Sequence, residues 1–105
     1  MIFLEASAFT RRIATLLTDE EYADLQSDLV ERPDLGDVIP ESGGIRKLRV
    51  AAKGHGKSGG ARVIYYWVVA RDRIFFLRAY AKSEQSDLTR REVKDLRRVV
   101  GEEFG

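Results

Sequence analysis

A chain of 105 residues without cysteine has room for one compact domain, 1–105, and excludes disulfide frameworks and thiolate metal sites. Its 44% hydrophobic and 33% charged residues mark a folded globular protein rather than a disordered one. The net charge of +1 hides a segregation: residues 1–40 carry three basic and nine acidic side chains, residues 41–105 fifteen and eight.

The start, MIFLEASAFTRR, holds an acid at its fifth residue and lacks the apolar run of a signal peptide. The longest apolar run, Val63 to Ala70, is too short to span a bilayer, so a cytoplasmic protein with no membrane contact is expected. Met1 to Ala6 reads as an edge or near-edge strand. Phe9, Ile13, Leu16 and Leu17 then recur at helical spacing and predict a helix from about Ala8 to Leu17. Thr18 to Glu21 is a capping-box pattern opening a second helix with Tyr22, Leu25 and Leu29 on one stripe, and Arg32-Pro33 stops it. The two helices form a hairpin with an acidic outer surface.

Residues 33–44, PDLGDVIPESGG, are loop chemistry throughout. The period then changes to two: Leu48 and Val50 point one way, Lys47 and Arg49 the other. ARVIYYWVVA, 61–70, is the continuous β-branched and aromatic run of a central strand covered on both faces. Arg71-Asp72 turns the chain into a further strand on which Arg78, Tyr80 and Lys82 share a face. A second capping box, Thr89 to Glu92, opens a last helix with Val93, Leu96, Val100 and Phe104 inward and Arg90, Arg91, Lys94, Arg97 and Arg98 outward. The predicted class is α+β, in the order β-α-α-β-β-β-α.

Between residues 44 and 82 ten Lys/Arg accompany a single acid, Asp72, a bias that attracts polyanions and, with interleaved Gly and aromatic residues, points to nucleic acid. Within it AAKGHGKSGG, 51–60, imitates a phosphate-binding loop. Such a loop must open a helix whose N-terminal N–H groups hold the phosphates, whereas Gly59-Gly60 leads into a strand. The reading is a glycine-rich hairpin with Lys53, His55 and Lys57 at its tip. One histidine and no cysteine provide neither a metal site nor a nucleophile–base pair, and no cofactor is expected.

GIRKLRVA paired with GKSGGARVIYYW, followed by RAYAKSEQSDLT, resembles the RelE/ParE superfamily of toxins, closest to its HigB-like branch, over almost the whole chain. The resemblance implies a small RelE-like, microbial RNase-like fold: an antiparallel sheet with an N-terminal helical hairpin and a C-terminal helix. It also implies an endonuclease that cuts messenger RNA in the ribosomal A site without metal, the ribose 2′-OH attacking the adjacent phosphorus. Arg62 matches the family's phosphate-binding arginine, with Lys57 and Lys82 as further catalytic candidates. Lys47, Arg49, Lys53, Arg78 and Tyr80 are the RNA-binding candidates, Tyr80 for stacking on a base. The implied partners are the ribosome, its messenger RNA and a HigA- or RelB-like antitoxin with a helix-turn-helix domain, through which alone operator DNA is bound. The sequence departs from some relatives at Ser83, where they carry arginine, and at Thr89, near which they place a tyrosine. Two other readings share the fold: a ParE-like gyrase poison and a non-catalytic RNA-binding relative.

Overall fold

The computed structural model describes residues 1–52 and 60–104. Along the chain run β1 (Ile2–Glu5), α1 (Ser7–Leu16), α2 (Asp19–Glu31), β2 (Asp37–Val38), β3 (Arg46–Val50), β4 (Ala61–Val68), β5 (Arg73–Ala81) and α3 (Arg90–Phe104). The five strands form one sheet in the order β1-β5-β4-β3-β2. Strands β3 to β5 pair antiparallel as expected, β2 extends them antiparallel, and β1 departs from the expected antiparallel sheet by joining the β5 edge in parallel, Ile2 opposite Arg73.

The short β2 is a strand beyond the expected order, and a 3-10 turn at Val69–Arg71 ends β4 at Val68, short of the expected Ala70. Asp37 and Val38 pair with Lys47 and Arg46, and the Ile39 N–H donates to the Ile45 carbonyl. Two residues carry no readable period, so only the tertiary partner distinguishes this strand from a loop. Both capping boxes form: Thr18 with Glu21, and Thr89 with Glu92, each with the hydroxyl and the carboxylate exchanging backbone donors.

β4 is buried on both faces and divides the core in two. Ala61, Val63 and Tyr65 pack with Phe9, Ile13, Leu16, Leu25 and Leu29 of the helical hairpin, and Phe9 stacks on Phe76 of β5 at 4.7 Å. Ile64 and Leu77 face the other way, against Leu96 and Val100 of α3. Each such side chain contributes about 1.5–3 kcal/mol when fully buried. The exposed acids Asp19, Glu20, Asp24, Asp28 and Glu31 give the hairpin its acidic outer surface.

One irregularity sets which residues face α3. Ile64 pairs with Arg78 but Tyr65 pairs with Phe76, so β5 carries an extra residue there. A bulge of this kind inverts the alternation beyond it. Ile74 and Phe76 pack toward the hairpin before the bulge, and Ala79 and Ala81 do so after it. Arg78 and Tyr80 are thereby placed on the α3 side. At the start of β4, Gly60 has φ +69°, and a Cβ there would lie 2.3 Å from the Val50 carbonyl oxygen, so only glycine admits the chain into the ladder. Among the described residues no helix is long and apolar enough to cross a membrane.

Candidate nucleic-acid interface

The ladder registers assemble the predicted cations into rows. Arg49 stands opposite Arg62, and Arg62 opposite Tyr80, in one row across β3, β4 and β5. The next row runs Lys47, Ile64, Arg78. Leu48 and Val50 pack with the hairpin cluster, so Lys47 and Arg49 project to the opposite, α3 side, as their alternation requires. Arg46, on the hairpin side, is structural: its guanidinium donates to the carbonyls of Asp34 and Gly36 at 3.2 and 2.7 Å.

Arg62 is only 5% exposed, and one of its terminal nitrogens donates to the Ala61 carbonyl at 3.3 Å. Arg49 beside it is exposed. Lys82 follows β5 directly, exposed, its N–H donating to the Gly60 carbonyl at 3.2 Å, which fixes it where the glycine loop rejoins the sheet. Lys57 and Lys53 lie outside the described residues, as does His55.

Two acids from the C-terminal part of the chain meet this face. Lys47 donates to Asp87 at 3.0 Å, and Arg78 to Glu92 at 3.3 Å. The hydrogen bond from Lys47 holds the Asp87 carboxyl below the usual aspartate range, with Arg62 adding a smaller charge effect. The Thr89 backbone N–H holds the Glu92 carboxyl below its usual range, with Arg78 a lesser cause. Arg12 of α1 pairs with Glu84 in the same connecting segment. Sequence reasoning overlooked these acids because they lie beyond residue 82, where the basic bias stops. Only Glu92 carried a signal, and it was that of a helix cap.

Tyr80 differs most from its expected use. Its ring is 6% exposed and packed with Ile64, Leu77 and Leu96, so it presents no face for a base to stack on. Its hydroxyl is buried and has no hydrogen-bond partner among the described residues. Burial pushes the phenol pKa up, Asp87 and Glu92 add to this, and Arg62 opposes it. Tyr80, Arg78, Arg12, Glu84 and Glu92 line a cavity of about 450 Å³ between α1, β5 and the start of α3. A larger groove of about 870 Å³, with Ile39, Val93, Lys94 and Arg97 in its wall, lies along α3 away from the Arg62 row.

A buried guanidinium beside an exposed one on the same sheet face forms a positive patch suited to a phosphodiester, since arginine offers planar paired donors that match two phosphoryl oxygens. Lys47 and Arg78, each paired with an acid, lie in the adjacent row.

Residues 8–104 match the family described as the RelE toxin of the RelE/RelB toxin–antitoxin system. The fold is similar to a chain of the intact Escherichia coli RelBE toxin–antitoxin complex, with a TM-score of 0.59 and 12% identity, covering 76% of this chain and 94% of that one. It is also similar to a double arginine-to-alanine mutant of E. coli RelE in the free state, with a TM-score of 0.57 and 13% identity, covering 81% and 86%. These matches are to RelE and do not single out the HigB-like branch.

Proposed function

Because the chain belongs to the RelE toxin family of toxin–antitoxin systems, we propose that it is a ribosome-dependent messenger-RNA endonuclease that inhibits translation. The observation that carries this reading is the placement of Arg62 and Arg49 side by side on the sheet face toward α3. In the proposed reaction the ribose 2′-OH attacks the adjacent phosphorus in line, a cyclic phosphate forms, and the 5′-oxygen leaves. Arg62 takes the negative charge that builds on the phosphoryl oxygens, as preorganised donors do best from a desolvated position. Arg49, Lys47 and Arg78 hold the flanking backbone, Lys47 and Arg78 exchanging their carboxylate partners for phosphates. Lys82, and Lys57 from the glycine loop, are the amines proposed to exchange protons with the entering and leaving oxygens.

The E. coli relative was solved within a toxin–antitoxin complex, which supports an antitoxin partner of the RelB kind here. A helix-turn-helix domain on that antitoxin would carry the contact with operator DNA.

Primer extension on a message translated in a purified system, with and without ribosomes, tests the reading. Cuts that need ribosomes and disappear with Arg62→Ala are expected. An intact message with unimpeded translation overturns it, and DNA damage on expression in its place would favour a gyrase poison.

A further inference from the structure

We propose that the Tyr80 hydroxyl is a catalytic hydrogen-bond donor, placed to bind a non-bridging oxygen of the scissile phosphate beside Arg62. The inference rests on the endonuclease reading and adds a residue to it that acts through its hydroxyl rather than its ring.

Two buried tyrosines on adjacent strands carry the contrast. The Tyr65 hydroxyl is used by the fold: it accepts from the Gly36 N–H and donates to the Pro33 carbonyl, both at 2.8 Å. The Tyr80 hydroxyl is used by nothing among the described residues, although it too is buried. A buried polar group without a partner destabilises the native state, and phenylalanine would fill the same space without that penalty. Stability therefore gives no reason for the oxygen, whereas its position does. Tyr80 is the direct ladder partner of Arg62, on the face that also carries Arg49.

The surroundings suit a donor. Burial and the nearby carboxylates of Asp87 and Glu92 keep the phenol protonated at neutral pH, so it offers a proton to an anion instead of competing with it. Leu88 packs in the same cluster as Tyr80, and the adjoining Asp87 is tied to Lys47. That ion pair is partly exposed and weak, as such pairs are. A phosphate that draws Lys47 away from Asp87 releases the segment beside the hydroxyl, and the cavity lined by Tyr80 and Arg78 gives it room to move. No proton changes hands in this role: the O–H shares its hydrogen with an oxygen whose charge is greatest in the transition state.

The test compares wild type with Tyr80→Phe in single-turnover cleavage of ribosome-bound message, alongside thermal unfolding of both proteins. The expected result is cleavage slower by about 100-fold at saturating ribosomes, the typical loss for one such donor. Half-saturation should stay within a few-fold, and the melting temperature should be equal or higher. Tyr80→Phe cleaving at the wild-type rate overturns the proposal and leaves the endonuclease reading intact. A loss of rate with a lowered melting temperature also overturns it, in favour of a packing role. A wild type that makes no cut removes the reading on which the proposal stands.

Discussion

Arg49 and Arg62 face each other directly across the β3–β4 ladder, one exposed and the other buried. Like charges directly opposite in a sheet are destabilising, so the pair stores unfavourable energy that an arriving polyanion relieves. Arg49→Thr should stabilise the protein by about 0.2–1 kcal/mol in urea unfolding. The same variant should bind single-stranded RNA more weakly, with the slope of log K against log salt smaller by roughly 0.7. A destabilised variant with unchanged salt dependence would remove Arg49 from the interface.

Charge alone does not suffice at position 62. Lysine keeps the charge but loses the planar fork and, being shorter in reach and more strongly hydrated, is less tolerant of burial. Arg62→Lys should lower ribosome-dependent cleavage by roughly 10²–10³-fold, as loss of a charge-stabilising donor does. Circular dichroism should show the fold retained. Cleavage within a few-fold of wild type would show that a point charge is enough.

Tyr65 anchors the connection between α2 and β2 through its bonds to Gly36 and Pro33. Tyr65→Phe leaves a buried N–H and a carbonyl without that partner and should cost about 1–3 kcal/mol. Chemical denaturation is the check. The effect should run opposite to that of Tyr80→Phe, and cleavage per folded molecule should be unaltered.

The Lys47–Asp87 pair makes a prediction in pH. The Asp87 carboxyl titrates below the ordinary aspartate range because Lys47 bonds its ionised form. A depressed folded-state value means the pair stabilises fully above that ordinary range and loses its contribution as pH falls through the lowered value. Carboxyl-carbon NMR should find the Asp87 midpoint low, and Lys47→Met should move it up toward the ordinary value. An Asp87 midpoint indifferent to that substitution would mean the pair does not persist in solution.

Much of this architecture was legible because it rests on local signals. The threonine–glutamate spacings fixed two helix starts, and the change from helical to alternating period separated Leu48 and Val50 from Lys47 and Arg49. Features set by pairing were not legible. Asp37–Val38 becomes a strand only because β3 lies beside it, and the parallel seating of β1 on β5 leaves no mark in either segment. The site divides along the same line. Residue types and alternation located Arg62, Arg49 and Lys47, but the depth of a side chain depends on what covers it. Tyr80 shares a face with charged residues and so read as exposed, until α3 and Leu88 are folded over it. Asp87 and Glu92 reach the basic face across the fold, which no window of sequence spans.

The seating of β1 bears on the order in which the sheet can assemble. Among the described residues the ladder partners of Ile2 to Glu5 are Arg73 to Phe76, on the last strand of the sheet in chain order. A sheet in which the earliest strand closes on the latest has a costly loop to order before any pairing rewards it. Phe3, stacked on Phe76 at 5.7 Å, waits for the same event. Tyr80 lies on the same strand, so the Arg62 row is completed by β5 as well. The topology thus makes β5 the keystone: the edge strand and the Arg62 row are both completed by the same late-pairing segment.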